Sequence, residues 1–88
     1  MHEKEKVVDS LSQVDMSGLK FPQVAVYFHP DDFPEDCVAR VFDNGQPTNV
    51  IMLRGSVWEL EYDIRTNTNL AFFKRGAEDV PELVGVWM

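Results

Sequence analysis

The dipeptide Asn44-Gly45 stands between two runs rich in β-branched and apolar residues, at 37–42 and 49–53. Asparagine and glycine tolerate positive φ, which both central residues of the tightest hairpin turns require. The pattern therefore predicts a β-hairpin, and with it a sheet built largely by antiparallel pairing. A loop longer than two residues is the alternative, because Pro47 cannot donate a hydrogen bond in a central ladder.

Three further segments have the composition of strands. Residues 23–28 read Gln-Val-Ala-Val-Tyr-Phe, with apolar side chains on both faces, which predicts a central strand ending at His29-Pro30. Residues 70–73 and 82–88 are the predicted fourth and fifth strands. The last of these places the C-terminus in the sheet.

The segment Ser56-Val57-Trp58-Glu59 matches a capping box, in which the serine hydroxyl accepts a backbone amide hydrogen and the glutamate reaches back to the cap. Leu60 and Ile64 follow at helical spacing, so a helix is predicted over residues 57–65. A strand is the alternative, because apolar residues also alternate from Trp58 to Ile64.

Residues 1–20 form a charged and polar arm ahead of a single domain that spans residues 21–88. Within the arm, four aliphatic residues stand at helical spacing, namely Val7, Val8, Leu11 and Val14. The arm is interpreted either as one short helix or as a flexible tail, because isolated helices of this length are marginal in water.

The order of elements is β-β-β-α-β-β after the arm. It predicts an α+β fold with a small, mainly antiparallel, five-stranded sheet and one covering helix. A chain of 88 residues forms one core, so one domain is expected.

Charge argues against two classes of partner. Fifteen acidic and eight basic residues give a net charge of −7, which disfavours direct binding to nucleic acid or to an anionic membrane. The acidic balance is explained either by solubility alone or by attraction to a basic protein surface.

The single cysteine, Cys37, cannot form an intramolecular disulfide. No stretch approaches the length of apolar sequence that a membrane span needs, and no secretory leader is recognisable. A cytoplasmic location is therefore expected.

The densest group of reactive side chains lies at residues 29–37, which hold four carboxylates, His29 and Cys37. The two prolines and the lack of glycine do not fit a calcium loop, and zinc would lack ligands. A nucleophilic pair of Cys37 with His29 is disfavoured, because a lone cysteine among apolar residues usually packs as a small hydrophobic group. No glycine-rich phosphate motif occurs, so neither a cofactor nor a metal is predicted.

The neighbouring aromatic residues Phe72 and Phe73 must point to opposite faces if they belong to a strand. One of them then meets a second layer or a partner, which indicates self-association or protein binding. The candidate contact residues are these two and those of the acidic loop: Asp31, Asp32, Phe33, Glu35, Asp36, Phe72 and Phe73.

The sequence is therefore interpreted as a non-catalytic interaction or accessory module. The alternative is an inhibitor that imitates nucleic-acid phosphates, which requires the acids of residues 31–36 and 78–79 to lie on one face. An enzyme or small-ligand binder is the least favoured interpretation, since so small a domain has little room for a pocket.

Overall fold

The computed structural model describes residues 5–88, which form a six-stranded mixed sheet with one α-helix against one face. The elements are β1 (Lys6–Val8), β2 (Pro22–Phe28), β3 (Cys37–Asp43), β4 (Gln46–Arg54), α1 (Val57–Asn67), β5 (Phe72–Lys74) and β6 (Leu83–Trp87). Across the sheet the order is β1-β4-β3-β2-β6-β5, with β1 parallel to β4 and all other pairs antiparallel.

The α+β class with one covering helix is confirmed, but the predicted five-stranded, mainly antiparallel sheet is wrong. The sixth strand is β1, which comes from the N-terminal arm and makes the sheet mixed. Its three residues pair with Val50, Ile51 and Met52 of β4. A strand this short is stabilised by its distant partner, and local spacing therefore does not reveal it.

The hairpin between β3 and β4 has the predicted two-residue turn. Asn44 and Gly45 have φ of 53° and 79°, and Asp43 pairs with Gln46 beside them. The pair next to such a turn shares both backbone hydrogen bonds, so Pro47, one residue further on, points its nitrogen away from β3. No donor is needed there, and the longer loop does not occur.

Helix α1 confirms the predicted helix and extends two residues beyond it. Ser56 is the N-cap, but its hydroxyl donates to Glu59 Oε2 at 2.7 Å and makes no hydrogen bond to the backbone. The predicted capping box is therefore wrong in its bonding, although its position is right. Leu60 and Ile64 are fully buried, whereas Trp58 is 67% exposed, which excludes the alternating strand.

The core lies between α1 and one face of the sheet, which we call the covered face; the opposite face is the open face. Val24 and Val26 of β2 are fully buried on the covered face, together with Met52 of β4. The other buried members of this cluster are Val8, Leu11, Cys37, Ala39, Val41, Leu60, Ile64 and Trp87. The predicted central position of β2 is confirmed, because β2 lies between β3 and β6 in the sheet.

The N-terminal arm packs against the same core. After β1 it forms two short 3₁₀ helices, Leu11–Gln13 and Met16–Gly18, and Leu11 is only 2% exposed. Neither the single helix nor the flexible tail describes residues 5–20; the first four residues of the arm lie outside the described residues. The helical spacing arose because Val8 of β1, Leu11 of the first 3₁₀ helix and Val14 after it reach the core from different segments, whereas Val7 is exposed.

Two hydrogen bonds connect the arm to the helix, and the longer of them runs from Asn67 Nδ2 to Ser10 Oγ at 3.3 Å. The backbone N–H of Leu11 donates to Asp63 Oδ1 at 2.9 Å, and Asn67 Nδ2 donates to the same oxygen at 3.2 Å. The Asp63 carboxylate thereby provides an acceptor for the main-chain N–H of the buried Leu11.

We expect Asp63→Ala to lower the free energy of unfolding by about 1–3 kcal/mol, because the Leu11 amide would lose its acceptor. Asp63→Asn is the matched control, since its side-chain oxygen can still accept, and should cost clearly less. Urea denaturation of the two variants measures the difference. Equal losses would show that the hydrogen bond to Leu11 is not what Asp63 contributes.

Gly85 of β6 lies beneath the ring of Phe72 on the covered face. A Cβ atom at Gly85 would stand 2.4 Å from Phe72 Cε1 and 2.8 Å from the carbonyl oxygen of Phe73. The ring could rotate away, but the backbone oxygen belongs to the neighbouring strand and moves only with β5. Gly85 therefore permits the close pairing of β5 with β6.

Gly85→Ala should destabilise the fold by about 1–3 kcal/mol, as expected of overpacking at a close-packed site. Gly18→Ala is the control, because no atom lies within 4 Å of its added Cβ. Thermal unfolding should show a lower midpoint for the first variant only. A Gly85 variant as stable as the wild type would mean that β5 shifts without cost.

Candidate functional site

The open face of the sheet is the face opposite α1. Successive pairs place Ala25 of β2 beside Arg40 of β3 and Val86 of β6, and Val86 beside Phe73 of β5. Side chains alternate between faces along a strand, so this set lies opposite Val24 and the rest of the core. All helical elements of residues 5–88 pack on the covered face.

An apolar groove of about 290 Å³ crosses this face and is open to solvent. Its walls are formed mainly by Tyr27, Phe42, Leu83, Val86 and Met88. The first four side chains are half-buried, and Met88 is 47% exposed. Apolar side chains in a solvent-filled groove gain free energy when a second apolar surface displaces the water.

Arg40 lies on the open face and is neutralised by Glu5. The two guanidinium nitrogens of Arg40 donate to the two carboxylate oxygens of Glu5, both at 2.9 Å, and one nitrogen also donates to the Thr48 carbonyl. Hydrogen bonding from Arg40 lowers the pKa of the Glu5 carboxyl. This bidentate pair holds the start of the arm across the sheet.

Tyr27 supplies a polar group at the groove. Burial raises the pKa of its phenol, the charges of Asp32 and Glu82 raise it further, and Arg40 opposes them. The phenol is therefore protonated at neutral pH and can donate a hydrogen bond. Asp32 also borders a smaller cavity of about 190 Å³ beside Tyr27 and Arg40, so the acidic loop meets the edge of the open face.

The acidic loop that follows β2 lies at one end of the sheet. Asp31, Asp32 and Glu35 are exposed, whereas Phe33 and Asp36 are half-buried. Two turns organise the loop: the Phe33 N–H donates to the Pro30 carbonyl at 2.9 Å, and the Asp36 N–H donates to the Phe33 carbonyl at 3.2 Å. The loop thus presents three of its carboxylates to solvent.

A second acidic loop, residues 75–82, lies at the same end of the sheet. It precedes β6, and its last residue, Glu82, accepts a hydrogen bond from the Phe28 N–H at 2.8 Å. Residues 29–36 and 75–82 together contain seven carboxylates and one arginine, Arg75. The acids singled out in the sequence therefore belong to two neighbouring loops.

Phe72 and Phe73 lie in the edge strand β5 and point to opposite faces. The ring of Phe72 contacts that of Trp87 on the covered face, with centroids 5.4 Å apart. Phe73 lies on the open face and is 53% exposed. The candidate residues thus form two groups, since β6 separates β5 from β2 and its loop.

The sequence interpretation missed the groove itself. Tyr27, Phe42 and Val86 come from three strands and were not singled out as contact residues. The available signal was the apolar character of both faces of residues 23–28. A strand with two apolar faces in a sheet with one helix leaves one of those faces without a covering layer.

Cys37 is buried at the start of β3 and is not aligned with a base. Burial raises the pKa of its thiol, while the ring of His29 contacts that of Phe28, with centroids 4.2 Å apart. Within residues 5–88, no three His, Cys, Asp or Glu side chains lie close enough together to hold a metal ion. Cys37 is part of the buried core cluster.

We expect the Cys37 thiol of the folded chain to react slowly with a disulfide reagent at neutral pH. A raised pKa means less thiolate, which is the reactive form, and the buried sulfur is also inaccessible. Spectrophotometric titration should show a reaction that accelerates strongly in denaturant. A fast reaction in the native state would contradict the burial of Cys37.

Comparison with protein-family models, curated proteins and solved structures finds no match to this chain. None of the helices in residues 5–88 combines the length and the apolar character needed to cross a membrane.

Proposed function

We propose that the chain is a non-catalytic module that binds another protein through the open face of its sheet. The apolar groove on that face is the observation that supports this proposal most directly. Its side chains surround a space open to water, and the exposed Phe73 beside Val86 extends the apolar surface towards β5. Burial of apolar surface contributes about 25 cal/mol per Å² removed from water.

The charges around the groove indicate the chemistry of the partner. Asp32 and Glu82 lie close enough to raise the pKa of Tyr27, and the nearest cation, Arg40, is already paired with Glu5. A partner with an apolar centre and basic residues around it would complement this arrangement. The apolar centre would provide most of the affinity, so binding should persist at raised salt.

The lining of the groove supports binding better than catalysis. Tyr27 is its one ionisable side chain, and its raised pKa keeps it neutral. A general base needs a pKa near the working pH, which this phenol does not have. We therefore propose no reaction at this site.

We also retain the expectation that the protein acts in the cytoplasm.

A phosphate-mimicking inhibitor is the second candidate. The placement of residues 29–36 and 75–82 at one end of the sheet favours it, because it gathers seven carboxylates on neighbouring loops. Binding of this kind depends on exposed charges and should weaken steeply as salt screens them. Salt dependence therefore separates the two candidates.

Val86→Lys should abolish capture of a partner from the native lysate by an N-terminally tagged chain, because a charge in the groove resists desolvation. Met88→Lys makes the same change at a more exposed position, with less risk to folding. Tyr62→Lys is the matched control, since Tyr62 is 61% exposed on α1. Quantitative mass spectrometry of the bound fraction measures each effect.

Circular dichroism first establishes that all three variants are folded. Loss of the partner with both groove variants and retention with the control would support the open face. A partner that is unaffected by the groove variants but leaves as salt rises would favour phosphate mimicry. A partner lost equally from all three variants would contradict a role for this face.

A further inference from the structure

The outer edge of β5 has an unusual combination of features. This strand is only three residues long, and both of its aromatic side chains are partly exposed to solvent, Phe72 by 41% and Phe73 by 53%. Edge strands protected against association usually carry charges or proline. Here one lysine, Lys74, stands beside two phenylalanines on opposite faces of the sheet.

The hydrogen bonds to β6 show which backbone groups face outward. Ala71 and Met88 exchange both backbone hydrogen bonds, at 3.0 and 2.9 Å, and the Arg75 N–H donates to the Val84 carbonyl at 3.4 Å. Inward and outward residues alternate along an antiparallel strand. Phe73 therefore bonds to β6, whereas the N–H and C=O groups of Phe72 and Lys74 point away from the sheet.

The next outward amides on each side are already occupied. The Leu70 N–H donates to Thr68 Oγ1 at 3.2 Å, and the Gly76 N–H donates to Asp79 Oδ2 at 2.7 Å. The free outward donors are thus those of Phe72 and Lys74, placed symmetrically about Phe73. A longer strand from another protein could form backbone hydrogen bonds with only this short stretch of β5.

We propose that β5 pairs antiparallel with β5 of a second copy of the chain, with Phe73 on the two-fold axis. In this register Phe72 of each copy exchanges two backbone hydrogen bonds with Lys74 of the other, which uses all the free outward groups of both strands. A two-fold contact requires such a self-complementary patch. The short outward stretch, centred on one residue, has this symmetry.

Side chains also match in this register. The two Phe73 rings meet across the axis on the open faces, as a cross-strand aromatic pair. On the covered faces each Lys74 lies beside a Phe72 ring, where a cation and an aromatic face attract. Like charges are not placed opposite each other, although each copy has a net charge of −7. Helix α1 packs mainly over β2, β3 and β4, and its Glu61 and Arg65 border a small cavity beside Phe72. Residues 71–74 are nevertheless exposed, so the outer edge of β5 is accessible.

The first test measures mass in solution with the purified chain. The wild type should reach twice the 10.1 kDa of one chain as concentration rises. Lys74→Pro removes the outward donor and should raise the dimer dissociation constant by about tenfold or more. Lys74→Ala is the matched control, because it removes the charge and keeps the N–H, and it should remain largely dimeric.

The second test determines the register and does not depend on a proline variant that folds. Phe73→Cys should form an interchain disulfide under mild oxidation, because Cα atoms at a facing non-hydrogen-bonded pair lie about 4.5 Å apart. Lys74→Cys is the control: its copies would be diagonal, roughly 8 Å or more apart, and should cross-link poorly.

A wild type that stays at the mass of one chain at every concentration would overturn the proposal. Equal dimerisation of the proline and alanine variants, or equal cross-linking of the two cysteine variants, would overturn it as well. The proposal stands apart from the binding of a partner to the groove, since both tests use the purified chain alone.

Discussion

Because α1 is the one α-helix in residues 5–88, it can bury only one face of the six-stranded sheet. The covered face holds Val24, Val26 and Met52 with no measurable exposure, and the helix contributes Leu60 and Ile64 to the same cluster. The 3₁₀ segments of the arm complete this layer. The opposite face is left with apolar side chains and no layer of its own, and that asymmetry creates the groove.

The two proposed contacts follow from this one-sided architecture in different ways. The groove at Tyr27 and Val86 is a surface between strands, and a partner would supply the missing layer. The β5 edge is a backbone surface, and a second copy would extend the sheet sideways. Phe73 takes part in both surfaces, so self-pairing would join the two open faces into one larger surface.

Local patterns were sufficient wherever neighbouring residues impose the structure. The turn at Asn44-Gly45 and the helix that begins after Ser56 follow from positive φ and from apolar spacing. The hydrogen bond of Ser56 was not predictable in the same way. Its hydroxyl can bond either to the backbone or to Glu59, and the rotamers of the two side chains decide which bond forms. The pairing of β1 with β4 was missed because a three-residue strand carries little local signal.

The sequence by itself determined the α+β class, the hairpin, the extent of the main strands within a few residues and the acidic character of two loops. Tertiary structure decided that the arm joins the sheet, that the two acidic loops lie at the same end, and that the groove of Tyr27, Phe42 and Val86 exists. These features bring together residues far apart in the chain, and strand order and register are set by packing that no local pattern records.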